Sequence, residues 1–376
     1  MTIECDVLVV GAGPAGSVVS LICAKNGLNT ILLEKNTAVG SHTKTKLDAS
    51  ADGELSKIIE ELNLKVENRV YTSRWHPPSG NYFQLESSSP EYFFKRGPDS
   101  DSFEVDTVAK AEEAGCRVYC NSKIEDVLEK DGKIDSLTVK INGDVKRIKP
   151  CVVIAADGGN SMFHRFVTKK SEGRKKIGYG LTGENYTNPN SSNVYFDAEL
   201  LPGGYFYLIT GESGVSTACI VIDSEHMKQK AKDAFQAFML KHPSVSDLIG
   251  KDSTPFFGEG QIFDLDSLVS ENLVFIGEAA GLLDPFFGYG MTSAIVSSYY
   301  AGQTIKRALE EDLGLLQNYD SMVREKFDKR LSYLYERVFE SLTNDDLDLI
   351  AEIITELDKK TDIDAILRQL SGKSVN

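Results

Sequence analysis

Three glycine-rich segments of the sequence combine residue types and spacings that indicate nucleotide chemistry. The first is VLVVGAGPAG, in which Gly11, Gly13 and Gly16 follow an apolar run and open a helical pattern. Such glycines permit a tight turn, the close approach of a pyrophosphate and the close packing of helix on strand. Glu34, eighteen residues after Gly16, ends the next apolar run, where an acid accepts hydrogen bonds from a ribose diol. The segment therefore predicts a dinucleotide site, with the helix N-terminus facing the phosphates.

The second segment is VVIAADGGNSMFHR, in which Asp157 and Gly158 turn the chain directly after an apolar strand pattern. Flavoprotein hydroxylases and related proteins show a similar Asp-Gly turn close to the pyrophosphate of FAD. A plain strand-ending turn is the alternative for this segment taken alone. Together with the first segment, it favours FAD over NAD as the dinucleotide.

The third segment is LVFIGEAAGLLDPFFGYGM, which reads as a strand, a turn and the start of a helix. The strand ends at Gly277 and Glu278, so a carboxylate would lie where the ribityl chain of a flavin passes. Pro285, Gly288 and Gly290 then lead into a helix that begins near Met291. The positive N-terminus of that helix would face the flavin pyrimidine and favour negative charge on the reduced ring.

Strand and helix patterns interleave along the chain, so the predicted fold class is α/β, with α and β segments mixed. We expect a Rossmann-like FAD-binding domain with an inserted antiparallel β-sheet substrate domain and a helical C-terminal region. The predicted boundaries are 1–70, 96–165 and 258–312 for FAD binding, 71–95 and 166–257 for the β-rich domain, and 313–376 for the helical region. After residue 291, helices are predicted over 291–312, 314–341, 344–358 and 361–371, and an earlier one over 226–241.

Composition excludes several classes of function. With 376 residues, two packed domains are expected. The net charge of -15 argues against a nucleic-acid partner. Six scattered cysteines without a CxxC pair suit a reduced, cytoplasmic protein, and the five histidines show no metal-ligand spacing, so no metal is expected. No signal peptide or membrane-spanning run is predicted, whereas peripheral membrane contact stays open.

The three segments together resemble the FAD fold of the para-hydroxybenzoate hydroxylase type. Within that fold, nearly the whole chain resembles the geranylgeranyl reductase family, which includes archaeal digeranylgeranylglycerophospholipid reductases. The more specific parts are PGGYFYL, GEAAGLLDPFFGYGM and the helical tail after LTNDD. The chain departs from the family at Tyr207, where a Trp is typical, at Thr210 in place of Pro, and at Glu278 in place of Asp. The loop after Gly40 also lacks the cysteine that many family members carry.

The resemblance implies two sets of site residues. The cofactor contacts are Gly11, Gly13, Pro14, Ala15, Gly16, Glu34, Lys35, Lys46, Arg96, Ile124, Asp157, Gly158, Gly277, Glu278, Pro285, Gly288, Gly290 and Met291. The substrate contacts are Pro202, Gly203, Gly204, Tyr205, Tyr207 and Phe287. A surface arginine is the alternative for Arg96, and a solvated basic loop is the alternative for Lys46.

The reaction implied by the resemblance is hydride transfer from reduced flavin N5 to an isolated C=C bond of a polyprenyl chain. A proton goes to the other carbon, and Tyr205 is the candidate donor, with water or the substrate itself as alternatives. The sequence shows no second nucleotide fingerprint, so NAD(P)H or a ferredoxin would dock transiently as the reductant. Two other functions stay open on the same fold: an FAD-dependent monooxygenase of an apolar substrate and a non-catalytic prenyl-binding protein. A halogenase is disfavoured, because the single tryptophan, Trp75, does not lie in a WxWxIP segment.

Overall fold

The computed structural model describes residues 2–167, 169–184, 189–223 and 230–356. In these residues the strands are β1 Thr2–Val10, β2 Thr30–Leu33, β3 Leu47–Ala51, β4 Asn68–His76, β5 Phe83–Lys95, β6 Arg117–Tyr119, β7 Ser122–Lys130, β8 Lys133–Ile141, β9 Asp144–Ala155, β10 Arg174–Gly183, β11 Ser191–Tyr195, β12 Tyr205–Thr210, β13 Ser216–Asp223, β14 Thr254–Ile262, β15 Val269–Ser270 and β16 Leu273–Phe275. The helices are α1 Pro14–Lys25, α2 Gly53–Leu62, α3 Phe103–Glu113, α4 Ala231–Lys241, α5 Pro243–Ser246, α6 Met291–Glu310, α7 Gln317–Lys326, α8 Arg330–Ser341 and α9 Asn344–Glu356. Short 3-10 turns lie at Met162–Phe166, Gly277–Ala280 and Leu313–Leu316.

The first sheet has a parallel centre in the order β16-β9-β1-β2-β6. Residues Val7–Val10 of β1 are buried, as expected for a central parallel strand covered on both faces. Helix α1 connects β1 to β2 and packs against α3 and α6. The hairpin β7–β8 continues from the edge of β9 in antiparallel pairing. The strands β1 and β2 and the helix α1 thus form a βαβ unit, and Asp131 and Gly132 turn the chain between β7 and β8.

The second sheet has eight strands in the order β14-β10-β13-β12-β11-β4-β5-β3. Its neighbouring strands pair antiparallel, except β11 and β4, which run parallel. This mixed architecture, with a nucleotide-type sheet, a largely antiparallel sheet and C-terminal helices, confirms the predicted fold class. Its sheet limits differ from the predicted boundaries, because Leu47–Ala51 already belongs to the second sheet and Thr254–Ile262 crosses residue 258. The division into domains stays a prediction.

The C-terminal helices differ from the sequence prediction in one respect. The single helix predicted over 314–341 is wrong, because the chain forms a 3-10 turn, then α7, then α8. Phe327 leaves the helical conformation, and the Asp328 carboxylate accepts the N–H of Arg330 at 3.0 Å, which restarts the helix. The helix predicted at 361–371 and residues 224–229 lie outside the described residues.

Candidate active site

A cavity of about 990 Å³ lies between the two sheets. The glycine-rich turn after β1, the ends of β2 and β9 and the start of α6 form one side of it. Strands β3, β5, β10, β11, β12, β13 and β14 contribute residues to the other side. Most of the residues predicted as cofactor or substrate contacts line this cavity: Gly11, Gly13, Pro14, Ala15, Glu34, Lys35, Arg96, Ile124, Asp157, Gly158, Tyr205, Tyr207, Glu278, Phe287, Gly288, Gly290 and Met291.

The three glycines of the first motif face different surroundings. A Cβ on Gly11 would lie 2.4 Å from the carbonyl oxygen of Ala156, and one on Gly16 would lie 1.8 Å from that of Gly11. A Cβ on Gly13, by contrast, would have nothing within 4 Å. Gly11 and Gly16 therefore allow strand, turn and helix to pack, whereas Gly13 leaves open space at the N-terminus of α1. That space is where a phosphate would approach the backbone.

Glu34 joins the end of β2 to the glycine-rich turn. Its Oε2 accepts the backbone N–H of Ala12 at 2.9 Å, and its Oε1 accepts the backbone N–H of Asn36 at 2.8 Å. The side-chain amide of Asn36 donates to the same Oε1 at 2.6 Å. Glu34 is buried but lines the cavity, so its orientation is fixed by the protein itself. A carboxylate held in this way keeps further acceptor capacity for a ribose hydroxyl.

Asp157 presents an unpaired oxygen at the end of β9. Its Oδ2 accepts the N–H of Met162 at 3.0 Å. Its buried Oδ1 makes no hydrogen bond of ordinary geometry among the described residues, although the hydroxyl of Ser161 lies near the carboxylate. Because an unpaired buried acceptor is costly, Oδ1 fits a hydroxyl donor bound in the cavity that Asp157 lines.

Glu278 is placed by the 3-10 turn after β16. Its Oε1 accepts the N–H of Gln261 at 3.0 Å, and the N–H of Gly159 also donates to the carboxylate. Burial raises the pKa of Glu278, and these two N–H groups oppose that rise. The carboxylate therefore joins the turn after Asp157 to β14, as well as lining the cavity. Its predicted contact with a ribityl chain stays a prediction.

The turn that precedes α6 is held by Asp284. Its Oδ1 accepts the N–H groups of Phe286 and Phe287 at 2.9 and 2.6 Å, and its Oδ2 accepts the hydroxyl of Ser332 on α8 at 2.6 Å. No side chain caps the N-terminus of α6, so its first N–H groups stay available next to the cavity residues Gly288 and Gly290.

Aromatic and apolar side chains of the second sheet form the far wall of the cavity. Tyr205 is 1% exposed, and its hydroxyl donates to the carbonyl of Phe287. Burial raises the pKa of both Tyr205 and Tyr207 well above the ordinary value. The wall also includes Ile177, Val194, Ile209, Val221 and Phe256, and Leu283 adjoins it from the segment before α6.

Charged side chains interrupt this wall at two places. Arg96 pairs with Asp48 and with Glu104, and its side chain is only 11% exposed, so the alternative of a surface arginine is wrong. Lys176 on β10 is buried, and its Nζ lies 2.7 Å from Oε1 of Glu336 on α8. Arg174 completes this cluster at 2.6 Å from Glu336 and 3.0 Å from Asp223.

Seven predicted contacts lie outside the cavity lining: Gly16, Lys46, Pro202, Gly203, Gly204, Gly277 and Pro285. For Gly203 and Gly204 the physical reason is close packing, and for Lys46 it is an ion pair. A Cβ on Gly203 would meet Glu340 of α8 at 2.6 Å, and one on Gly204 would meet the carbonyl of Val221 at 2.3 Å. Lys46 is half exposed and pairs with Glu184 at 3.1 Å.

Sequence reasoning missed several charged cavity residues, among them Asp48, Glu91, Glu104 and Lys176. A signal for Glu91 was available in the sequence. In β5, Glu91 and Phe93 are two residues apart and so share a face of the strand. Since Phe93 is an aromatic residue expected in the core, the acid before it should also point inward.

Comparison with known proteins gives one consistent result. Residues 6–178 match the family of FAD-dependent oxidoreductases. Digeranylgeranylglycerophospholipid reductases from Thermoplasma acidophilum and Methanocaldococcus jannaschii are each 28% identical to this chain over 98% of its length, covering 96% and 95% of their own. The crystal structure of a geranylgeranyl bacteriochlorophyll reductase-like protein from Thermoplasma acidophilum has a TM-score of 0.82 at 26% identity and covers 98% of this chain and 96% of its own.

This chain is an FAD-dependent oxidoreductase. The full-length relatives confirm the predicted resemblance to the geranylgeranyl reductase family. A flavin-dependent brominase shares the fold of this oxidoreductase at a TM-score of 0.72 and 18% identity. The residues present also fit FAD, because Gly13 leaves open space at a helix N-terminus and Asp157 presents an unpaired acceptor to the same cavity.

Membrane-spanning helices and metal sites can be assessed for the described residues of the oxidoreductase. None of the helices there is both long enough and apolar enough to cross a membrane. That part of the chain also brings together no group of three side chains able to hold a metal ion.

Proposed function

We propose that this oxidoreductase reduces isolated C=C bonds in the geranylgeranyl chains of a glycerophospholipid. The observation that carries the proposal is the match over 98% of the chain to proteins named for that reaction, at 28% identity. The cavity supports it, since one side offers nucleotide-binding features and the other an aromatic and aliphatic wall suited to a prenyl chain.

The residues that would hold FAD are those of the cavity side formed by the first sheet. The glycine-rich turn with Gly13 would receive the pyrophosphate, Glu34 the adenosine ribose, and Asp157 a hydroxyl of the ribityl or ribose part. The N-terminus of α6 would face the flavin ring and favour negative charge on it. Bound FAD would supply hydride transfer to the alkene.

The remaining task of the protein is to exclude water and to position the alkene. The part of the wall formed by Tyr205, Ile209 and Val221 is largely buried and apolar, which keeps the developing charge on the substrate away from bulk water. The hydroxyl proton of Tyr205 is engaged with the Phe287 carbonyl, which supports a positioning role for Tyr205 over its predicted role as proton donor.

The electron source and the cellular location belong to the same proposal. We propose that NAD(P)H or a ferredoxin docks transiently, that the protein works in the cytoplasm, and that it contacts a membrane surface peripherally to reach its lipid. A vesicle-flotation assay with and without prenyl lipid would test the membrane contact.

The decisive experiment uses the FAD-loaded protein, reduced with dithionite under anaerobic conditions and mixed with a digeranylgeranylglycerophospholipid. Mass spectrometry of the lipid should show a gain of two hydrogens for each double bond reduced, together with return of the oxidised flavin spectrum. Lipid-stimulated oxygen uptake in air without that mass gain would instead identify a monooxygenase. Purified protein that cannot be reconstituted with FAD would identify a prenyl-binding protein.

A further inference from the structure

An acidic residue that the proposed function leaves unused lies in the apolar part of the cavity. Glu91 on β5 lines the cavity together with Tyr205, Tyr289 and Ser192. Two residues further along the same face of the strand, Phe93 is fully buried in a cluster with Tyr207 and Ile209. The carboxyl group is therefore on the inner face of the second sheet, among the residues proposed to surround the prenyl chain.

The hydrogen bonding of Glu91 is sparse. The hydroxyl of Ser192 on β11 is its side-chain hydrogen-bond partner. Among the described residues, no lysine, arginine or histidine forms an ion pair with Glu91, in contrast to Asp48 in the same wall, which pairs with Arg96. Glu91 is half-buried, and an acid in a largely apolar cavity without a cation is stabilised in its neutral form, in which the carboxyl is also a hydrogen-bond donor.

The surroundings of Glu91 also favour the neutral form of its carboxyl group. The residues paired with it on β3 and β4 are Ala51 and Val70, neither of which carries a charge. Helix α9 packs at the other end of β5, through Ile350, Ala351 and Ile354. The other titratable groups that the second sheet and the segments next to it contribute to the cavity lining are Asp48, Arg96, Glu104, Lys176, Tyr205, Tyr207, Cys219, Glu259 and Tyr289. Burial raises the pKa of Glu91, and the hydrogen bond with Ser192 only partly opposes this.

Two tyrosines locate Glu91 relative to the side of the cavity that is proposed to bind the flavin. Tyr289 belongs to the turn that leads into α6, and Tyr205 is bonded to Phe287 of the same turn. Glu91 lines the same cavity as both of these tyrosines. The acid thus faces the turn beside which the reacting end of the cofactor would lie.

We propose that Glu91, in its protonated form, is the catalytic acid that delivers a proton to one alkene carbon of the prenyl chain. This proposal rests on the proposed function and names a group for its unassigned proton. The O–H bond of Glu91 breaks, and the π electron pair of the alkene forms the new C–H bond. The other carbon receives a hydride with its two electrons from the reduced flavin, and the carboxylate of Glu91 regains a proton from solvent.

The test compares Glu91→Gln, Glu91→Asp and Glu86→Gln with the unchanged protein. Glu86 lies on the same strand but is exposed, so its variant is the matched control. Each protein is first assayed for FAD content and thermal stability, then for anaerobic lipid reduction across a range of pH. Infrared spectra of the oxidised, lipid-free wild type and of each variant are subtracted from one another to detect the carbonyl stretch of a protonated carboxyl. This measurement does not depend on turnover.

With FAD content unchanged, Glu91→Gln should slow lipid reduction by about 100-fold or more, and Glu91→Asp by less. The wild-type rate should fall as the pH rises through the pKa of Glu91, whereas the rate of Glu91→Gln should not. The carboxyl band should disappear in Glu91→Gln and persist in Glu86→Gln. A Glu91→Gln protein with the wild-type rate and pH profile would overturn the role of Glu91 while leaving the proposed function standing.

If the wild-type protein adds no hydrogen to the lipid, the proposed function fails instead, and the role of Glu91 in that reaction falls with it. Should Glu91→Gln fail to bind FAD, the pH profile of Glu91→Asp decides, because its shorter side chain keeps an acid at the same position. A Glu91→Asp protein with the wild-type rate and the wild-type pH profile would count against the proposal.

Discussion

The carboxylate of Glu34 accepts the backbone N–H of Ala12 across 2.9 Å, and this bond ties the end of β2 to the glycine-rich turn after β1. The acid proposed to bind a ribose therefore also shapes the turn proposed to bind the phosphates. The two halves of the proposed nucleotide site share a single side chain.

Replacing Glu34 with Ala should weaken FAD binding by about tenfold to 100-fold, because hydrogen bonds to a charged group contribute about 1.5–3 kcal/mol. The apoprotein should also lose about 1–3 kcal/mol of unfolding free energy, since the N–H groups of Ala12 and Asn36 lose their acceptor. Fluorescence titration with FAD and urea unfolding measure the two effects. Glu4→Ala, an exposed acid on β1, is the control, and an unchanged FAD affinity for Glu34→Ala would remove Glu34 from the site.

Gly13→Ala and Gly16→Ala should separate binding from folding. At Gly13 a methyl group meets nothing within 4 Å, and φ is -73°, so the apoprotein should keep its stability while FAD affinity falls by about tenfold or more. At Gly16 the methyl group would lie 1.8 Å from the carbonyl oxygen of Gly11, so the apoprotein itself should lose about 1–3 kcal/mol or fail to fold.

Gly53→Ala is the control for both variants, because Gly53 starts α2 and its Cβ would also contact nothing within 4 Å. Thermal unfolding without FAD and calorimetric titration with FAD give the required numbers. Equal FAD affinity for Gly13→Ala and wild type would show that the phosphates do not occupy the space beside Gly13.

Tyr205→Phe should leave the pH dependence of lipid reduction unchanged, because the hydroxyl of Tyr205 is committed to the Phe287 carbonyl. It should lower the unfolding free energy by about 1–3 kcal/mol, since that carbonyl loses its donor. Steady-state rates across pH, with Tyr71→Phe as an exposed control, make the comparison. If the rate of Tyr205→Phe no longer depended on a protonated acid across the pH range, Tyr205 would be the proton donor after all.

Glu336→Gln should destabilise the protein by about 3 kcal/mol near neutral pH, because the buried charge of Lys176 would keep only its longer contact of 3.9 Å with Asp223. Burial acts to raise the pKa of Glu336, but its contacts with Arg174 and Lys176 outweigh burial and hold that pKa below the usual 4.5. The stabilisation is therefore present above about pH 4.5 and is lost as the pH falls through the lowered pKa in the folded state.

Urea unfolding between pH 7 and pH 3 should show the gap between wild type and Glu336→Gln narrowing with acid. Glu310→Gln, at the exposed end of α6, should show no such gap at any pH. A pH-independent difference for Glu336→Gln would mean that packing, and not charge, holds α8 to β10.

The parts of the molecule that sequence reasoning predicted are those governed by local geometry. The turn at Gly11 to Gly16 and the strand end at Asp157 need particular residues at fixed spacing, so the pattern indicates the structure. Pairings between distant strands leave no such local trace. The sequence of β3 does not show that Asp48 meets Arg96, because β3 joins the second sheet only through β5.

The same limit applies to Gly203 and Gly204, which lie outside the cavity lining. Their motif is visible in the sequence, but their close contacts are with Glu340 on α8 and Val221 on β13, which lie far away along the chain. A glycine that admits another part of the protein and a glycine that admits a ligand look alike until the neighbour is known. Glu91 shows the converse, since the burial of Phe93 two residues later was a local signal that could have been used.

The order in which the chain contributes to the cavity has a consequence for biosynthesis. Its lining runs from Val10 in the first strand to Ala294 in the first turn of α6, with both sheets contributing in between. A nascent chain that still lacks α6 contains the glycine-rich turn. It has neither the N-terminus of α6 nor the last residues that line the cavity. The vitamin-derived cofactor can then be captured in full only after about three quarters of the polypeptide has left the ribosome.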